Sequence, residues 1–241
     1  MLFSLAFLRL CVIMTPNATM IKRRDFIMKL EGAKINFLGD SITEGFGVSN
    51  PEKLVWHQLI KRDCGLAQAN NYGASGTRIA RRTVPYLSTP TYDITFELRA
   101  EIMSRDVDAV VVFGGVNDYG HGDAHFGDVD SDSEDIYTFC GALNSLISKL
   151  QRDFPKAELV FLTSLHYIRE NEPDQPDGKL LADYVEAIRT ICAKREVKVI
   201  DLFAINPLDC TDTSMVPDGL HPNDAGHAVM ARVIAEELMK L

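Results

Sequence analysis

Strand-like and helix-like stretches alternate along the chain from Lys34 onwards. Short apolar runs, typical of buried strands, occupy 34–38, 66–71, 108–113, 158–163 and 198–203. Apolar residues at helical spacing fill stretches between and after them, at 52–63, 134–153, 179–194 and 223–240. Continuous apolar strands separated by helices predict a parallel sheet covered on both faces. We therefore predict an α/β fold, a three-layer α/β/α sandwich with a five-stranded, parallel, flavodoxin-like sheet.

Polar residues follow the first predicted strand in the stretch 39–45, GDSITEG. Ligands of open parallel sheets bind outside the carboxyl ends of the strands, so this stretch lies where a site is expected. The hydroxyl of Ser41 is a weak nucleophile until a base takes its proton. Taken alone, Gly-Asp-Ser also fits an ordinary turn in which Asp or Ser caps a helix.

Two further polar clusters follow the second and third strands. The stretch 70–77, NNYGASGT, contains glycines that let backbone N–H groups approach a ligand oxygen closely. The stretch 114–118, GGVND, places Asn117 where its side chain can donate to a developing oxyanion. Each cluster alone is equally compatible with a plain turn.

The fourth cluster, DGLHPN at 218–223, precedes the last predicted helix. Asp218 stands three residues before His221, so its carboxylate can bond the imidazole and fix the tautomer. The competing interpretation is a solvated histidine beside a turn-forming aspartate. Asn223 is a predicted N-cap of the last helix.

These four clusters, in this order, resemble the sequence blocks of the SGNH (GDSL-type) hydrolases over about residues 34–240. The resemblance implies that Ser41 is the nucleophile, His221 the general base and Asp218 the residue that orients it. It also implies an oxyanion hole formed by the N–H groups of Ser41 and Gly73 and the side chain of Asn117.

The activity implied by the resemblance is metal-independent hydrolysis of a carboxylic ester through an acyl-enzyme on Ser41, without a cofactor. No lid or long apolar insertion is visible, which favours a short, acetyl-type acyl group carried by a small molecule, lipid or sugar. Asp40 and His166 lie at the same predicted edge and are candidates for lining the substrate pocket. We expect no bound metal.

Two other functions stay open from the sequence. The fold is compatible with a non-catalytic ligand- or carbohydrate-binding module, because fold does not fix function. The loop at 121–132, with His121, His125 and several aspartates, suggests a metal-dependent phosphoesterase. By contrast, Trp56 is interpreted as a core residue, and His57 and His227 as packing or surface residues. Arg78, Arg81 and Arg82 are interpreted as a solvated helix face.

Charge and cysteine content indicate which partners and which cellular compartment are expected. The 241 residues include 25 Lys+Arg and 34 Asp+Glu, a formal net charge of −9. This charge argues against nucleic acid as a partner, because there is no cationic excess to neutralise phosphates. The five cysteines include no C-x-x-C pair, which favours reduced thiols in a cytoplasmic protein.

The first 28 residues differ from the remainder. Residues 1–14 are apolar but interrupted by Arg9, and the run is too short to span a bilayer. We interpret 1–28 as an extension of uncertain role preceding a single hydrolase domain over 29–241. We expect no integral membrane span, and secretion only if residues 1–14 act as a leader.

Overall fold

Five parallel strands form the centre of the protein in the computed structural model, which describes residues 28–121, 123–174 and 176–241. Their order across the sheet is β2-β1-β3-β4-β5. The strands are β1 (Lys34–Gly39), β2 (Gln68–Gly73), β3 (Ala109–Phe113), β4 (Glu158–Leu162) and β5 (Lys198–Ile200). The prediction of a five-stranded parallel sheet is confirmed. The predicted extension falls outside the described residues, except for Met28.

Helices cover both faces of this sheet. In chain order they are α1 (Ser41–Glu44), α2 (Pro51–Leu54), α3 (Trp56–Cys64), α4 (Phe96–Ala100), α5 (Val116–Gly120), α6 (Phe139–Asp153), α7 (Leu181–Lys194), α8 (Leu202–Ile205) and α9 (Asp224–Leu238). Side chains alternate between the faces of a strand. Accordingly, Val110 and Val112 pack with α4, α6 and α7, whereas Val111 and Phe113 pack with α3 and α9.

One predicted helix is divided, and one predicted strand ends early. The predicted helix at 52–63 is divided into α2 and α3, because Val55 between them has an extended ψ of 144°. The predicted strand at 198–203 ends at Ile200, because the side chain of Asp201 accepts a hydrogen bond from the N–H of Ala204 and starts α8 instead.

Side-chain caps also set where the long helices begin. The predicted helix over 134–153 starts only at Phe139, because Thr138 accepts a hydrogen bond from the N–H of Gly141. The N-cap predicted at Asn223 is confirmed, since its side chain accepts from the N–H groups of Ala225 and Gly226. This cap fixes the chain immediately after the fourth polar cluster.

Candidate active site

The turn after β1 brings Ser41 to the carboxyl edge of the sheet. Gly39 has no room for a side chain, because a Cβ there would overlap the side chain of Thr43 and lie 2.8 Å from the carbonyl oxygen of Phe113. Asp40 is the N-cap of α1, and its carboxylate accepts from the N–H of Ile42 at 3.1 Å. Ser41 is therefore the first residue of a short helix, and its N–H has no hydrogen-bond partner among the residues that the structure describes.

Asp40 is almost completely buried directly beside this serine. Burial raises the pKa of its carboxyl to about 6, although the Ile42 N–H and the charges of His221 and Arg99 act in the opposite direction. Asp40, a candidate for lining the substrate pocket, lines a small, partly open cavity of about 10 Å³. Ile42, on the other side of Ser41, also lines that cavity.

Ser41, His221 and Asp218 form a continuous line of hydrogen bonds. Ser41 Oγ lies 2.9 Å from His221 Nε2, and His221 Nδ1 lies 2.7 Å from Asp218 Oδ2. Burial alone would raise the pKa of Asp218, but hydrogen bonds from the backbone and imidazole of His221 outweigh it and hold that pKa below its usual value. The Asp218 carboxylate is thus ionised. Its hydrogen bond to Nδ1 orients the imidazole so that Nε2 faces the serine hydroxyl.

The loop that carries Asp218 and His221 is held by hydrogen bonds from its own backbone N–H groups to the Asp218 carboxylate. The second carboxylate oxygen of Asp218 accepts from the N–H groups of Leu220 and His221, at 3.0 and 2.7 Å. Gly219, between Asp218 and Leu220, has a φ of +77°, which other residues adopt at a cost. The ring of Phe46 lies 4.6 Å from the imidazole, centroid to centroid, and closes one side of it.

Asn117 reaches the same edge from the start of α5, after β3. The side chain is mostly buried, and its Nδ2 donates to the carbonyl oxygen of Thr77 at 2.9 Å. A side-chain amide has two N–H protons, so one remains for another acceptor. The structure therefore places an amide donor beside the loop that follows β2.

The N–H of Gly73, a predicted oxyanion donor, has a partner in this structure. Its N–H already donates to Asn71 Oδ1 at 2.8 Å, a local side-chain-to-backbone bond of the kind that asparagine favours in turns. The glycine is needed here for close packing, because a Cβ would overlap the backbone of Thr43 and Glu44 in α1. Gly73 thus allows the segment that carries Ser41 to cross the end of β2.

His166, the other candidate pocket residue, has both ring nitrogens engaged. Nδ1 lies 2.7 Å from Glu170 Oε2, and Nε2 lies 3.1 Å from the carbonyl oxygen of Phe203. In the Asp-rich loop, His125 Nδ1 pairs instead with Asp177 at 2.9 Å. Within 28–121, 123–174 and 176–241, no group of three or more His, Cys, Asp or Glu is arranged to hold a metal ion.

The predicted solvated face of Arg78, Arg81 and Arg82 is wrong, most clearly for Arg78. The Arg78 side chain is only 2% exposed and forms an ion pair with Asp123, which also binds Arg82. The chain at 78–82 is irregular rather than helical, since Asp118 accepts from the N–H groups at positions 79 and 80. Burial raises the pKa of Asp118 to about 6, opposed by the charge of Arg78 and these N–H bonds.

An open cleft of about 300 Å³ is lined in part by the C-terminal residues of α5. Tyr119, His121, Tyr167 and Arg169 contribute to its lining. It lies near the loop of the fourth cluster, because the N–H of Ile168 donates to the carbonyl oxygen of Gly219 at 3.0 Å. The cleft thus has both polar and aromatic side chains in its lining.

One residue in contact with the site was missed in the sequence. Arg99 in α4 is buried and donates to backbone carbonyls at the ends of β1 and β2. The available signal was its position in an apolar stripe, since Phe96 and Ala100 are buried on the same face of the helix. An arginine at such a position is unusual and requires acceptors in the interior.

A serine, an imidazole and a carboxylate in one line, with an amide donor nearby on a parallel α/β sandwich, define the acylhydrolase class of this fold. The chain belongs to the GDSL-like Lipase/Acylhydrolase family, whose sequence profile matches residues 37–229. No match was found among curated protein sequences. No helix in the described part of the chain is long and apolar enough to cross a membrane.

Solved structures of similar proteins have the same fold. A protein from Lactobacillus plantarum is 30% identical, with a TM-score of 0.69, and the match covers 86% of this chain and 97% of that one. The lipase/acylhydrolase from Enterococcus faecalis is 21% identical, with a TM-score of 0.58 and coverages of 86% and 95%. A variant of Axe2, an acetyl-xylooligosaccharide esterase from Geobacillus Stearmophilus, is 20% identical, with a TM-score of 0.57 and coverages of 88% and 96%.

Proposed function

We propose that this protein hydrolyses carboxylic esters by transferring the acyl group to Ser41. The observation that carries the proposal is the short path from Ser41 Oγ to His221 Nε2, at 2.9 Å, and from His221 Nδ1 to Asp218, at 2.7 Å. A hydroxyl becomes a nucleophile when a neighbouring base accepts its proton, and this arrangement supplies the base and the group that orients it.

In the acylation step, Ser41 Oγ attacks the ester carbonyl while His221 Nε2 takes the hydroxyl proton. The tetrahedral intermediate collapses, and His221 returns that proton to the departing alcohol. Asp218 remains ionised throughout, which agrees with the lowered pKa of its carboxyl, and stabilises the imidazolium. Water then attacks the acyl carbon while His221 takes its proton, and His221 returns that proton to Ser41 Oγ as the bond to the acyl group breaks and the acid leaves.

The negative oxygen of the intermediate needs donors that are already in place. We assign the N–H of Ser41 and the second side-chain proton of Asn117 to this role. The N–H of Gly73 joins them only if it leaves Asn71. Gly76 is a better third candidate, because its N–H has no hydrogen-bond partner among the described residues and it adjoins Thr77, which binds Asn117.

The substrate we propose carries a short acyl group. In support, the small, partly open cavity lined by both neighbours of Ser41 measures about 10 Å³, far less than a long acyl chain needs. The alcohol part then occupies the open cleft, where Tyr119, His121 and Tyr167 offer rings and hydrogen-bonding groups. Axe2 acts on acetylated xylooligosaccharides, so acetylated sugars belong in the first substrate panel together with simple acetyl esters.

A panel of p-nitrophenyl esters of increasing chain length, with acetylated sugars, tests the proposal. We expect kcat/KM to be highest for acetyl and to fall with longer acyl chains. Ser41→Ala removes the nucleophile and should abolish turnover without changing the thermal melting temperature. Ser49→Ala is the matched control, because that hydroxyl binds Asp224 on the surface and should leave turnover unchanged.

Two inhibitors separate this proposal from the alternatives. A fluorophosphonate should label Ser41 stoichiometrically and stop hydrolysis, whereas EDTA should leave it intact. Sensitivity to EDTA with retained activity in Ser41→Ala would indicate a metal-dependent enzyme. Sugar binding without any labelling of Ser41 would indicate a binding module. Either result would contradict an acyl-enzyme.

A further inference from the structure

The guanidinium of Arg99 is the point where several parts of the site meet. Its Nη1 donates to the carbonyl oxygen of Gly39 at 2.6 Å and also to that of Tyr72. Its Nη2 donates to Thr77 Oγ1 at 2.7 Å. A guanidinium presents its N–H groups in a rigid, planar fork, so these acceptors are held in a fixed relation to one another.

Each of these acceptors belongs to a segment that carries a reacting or donating group. Gly39 stands two residues before Ser41, at the end of β1. Tyr72 stands at the end of β2, where the loop with Gly76 begins. The carbonyl oxygen of Thr77 receives the side chain of Asn117 at 2.9 Å. The Arg99 side chain therefore joins the turn that carries Ser41, here called the nucleophile turn, to the loop after β2. Through Thr77 it is also linked to the side-chain amide of Asn117.

This arginine is costly to bury, which argues against a role in packing alone. Arg99 forms no ion pair within 4.0 Å among the residues that the structure describes, and its close acceptors are neutral oxygens. Burial lowers its pKa to about 10, while the charges of Asp40 and Glu44 act in the opposite direction. The ring of Phe96 lies 4.6 Å from the guanidinium carbon and covers it.

Phe96 links the same guanidinium to the third strand. A Cβ at Gly114, directly after β3, would overlap the Phe96 ring, so helix α4 packs as closely as the glycine allows. Phe96 is fully buried there. The ends of β1, β2 and β3 are thus all in contact with α4, although none of the four sequence clusters includes it.

We propose that Arg99 is a positioning residue for ester hydrolysis, which holds the nucleophile turn and the loop after β2 at the spacing that the oxyanion donors require. The proposal rests on the proposed function for its kinetic consequence, but the arrangement itself is independent of turnover. A displacement of about 1 Å within such a site lowers turnover by about 10²-fold.

The test compares Arg99→Lys and Arg99→Met with the wild-type protein. Lysine keeps the charge but cannot form the planar fork, and methionine keeps the apolar stem without donors. We expect kcat per fluorophosphonate-titrated serine to fall by about 10²-fold, with KM changed less than about threefold. Normalising to titrated sites removes any loss that comes only from unfolded protein.

Arg105→Met is the matched control. Arg105 follows the same helix, donates to the carbonyl oxygens of Ala100 and Glu101, and covers the ring of Phe154 at 4.6 Å, but it contacts no part of the site. Its kcat per titrated serine should equal that of the wild type. Equal kcat in Arg99→Met and the wild type, or equal losses in Arg99→Met and Arg105→Met, would overturn the proposal.

Hydrogen–deuterium exchange supplies a readout that does not depend on turnover. Arg99→Lys should speed exchange in peptides covering 39–45 and 72–79, whereas Arg105→Met should not. If the wild-type protein hydrolyses no ester at all, the proposed function fails and the exchange result alone decides on Arg99. Unchanged exchange in both segments would then reject the positioning role.

Discussion

Asn117 donates one side-chain proton to the carbonyl oxygen of Thr77, and we assign the other to the oxyanion. The contribution of Asn117 to catalysis can therefore be measured by removing its side chain. Asn117→Ala removes the proposed oxyanion donor but leaves Ser41, His221 and Asp218 in place. We expect kcat to fall by about 10²–10³-fold, with little change in KM, because the lost bond forms mainly in the transition state. Steady-state kinetics on p-nitrophenyl acetate measures this change.

Asn144 is the control for that variant. It is also buried, and its Nδ2 donates to the carbonyl oxygens of Ser131 and Ser133, at 3.1 and 3.2 Å. Asn144→Ala should lower stability while kcat stays at the wild-type value. If both alanine variants lost the same activity, Asn117 would have only a structural role.

At the scale of single residues, the sequence could indicate where Ser41, Asp218 and His221 lie, because each adjoins the predicted carboxyl edge of the sheet. It could not indicate that Asn71 occupies the N–H of Gly73, since glycine after a strand fits either use. Arg99 was still less accessible, because its acceptors at positions 39 and 72 are 60 and 27 residues away. Local patterns carry no information on such distant partners.

At the scale of elements, the cap of α9 fixes the segment that directly follows His221. Asn223 accepts from the N–H groups of Ala225 and Gly226, and its Nδ2 donates to the carbonyl oxygen of Ser214 at 2.8 Å. We expect Asn223→Ala to lower the free energy of unfolding by about 1–2 kcal/mol, because helix N–H groups lose their acceptor. Urea denaturation measures the loss.

Asn50 provides a direct comparison at the start of α2. It also precedes a helix, but its side chain makes no capping hydrogen bond. Asn50→Ala should therefore change the free energy of unfolding by only a few tenths of a kcal/mol, the usual effect of a surface substitution. A similar loss in both variants would show that the hydrogen bonds of Asn223 contribute little.

Element types were predictable from periodicity, whereas some boundaries depended on contacts between elements. The apolar run of Lys198–Phe203 has the composition of a strand throughout. Its second half becomes α8 because Asp201 caps that helix and is held by Arg189, whose Nε and Nη2 both donate at 2.9 Å. The partner lies in α7, so the signal is tertiary and overrides local propensity.

At the scale of the whole molecule, buried histidines couple stability to pH. His57 and His227, for which the sequence left packing or surface positions open, are fully buried, and burial lowers the pKa of each to about 4. The unfolded chain binds these protons below about pH 6.5, so each histidine reduces stability as pH falls from about 6.5 to 4. Asp40 and Asp118, whose pKa values are raised to about 6, act in the opposite direction over much of this window.

His227→Gln separates one of these opposing contributions. Glutamine can still accept the N–H of Trp56, which lies 3.1 Å from His227 Nδ1. The variant has no group to protonate, so its stability relative to the wild type should improve as pH falls from about 6.5 to 4, by as much as about 3 kcal/mol. Urea midpoints at several pH values measure this difference, and a pH-independent difference would contradict the assignment.

The hydrogen-bonded serine and histidine are 180 positions apart along the chain. A polypeptide whose synthesis has reached residue 217 contains every strand and the whole nucleophile turn, but neither Asp218 nor His221. Helix α9 is also missing at that stage, so the α3 surface that it covers is bare. Translation therefore completes the proposed active site and one wall of the interior together, and a prematurely terminated chain lacks the base that we propose for Ser41.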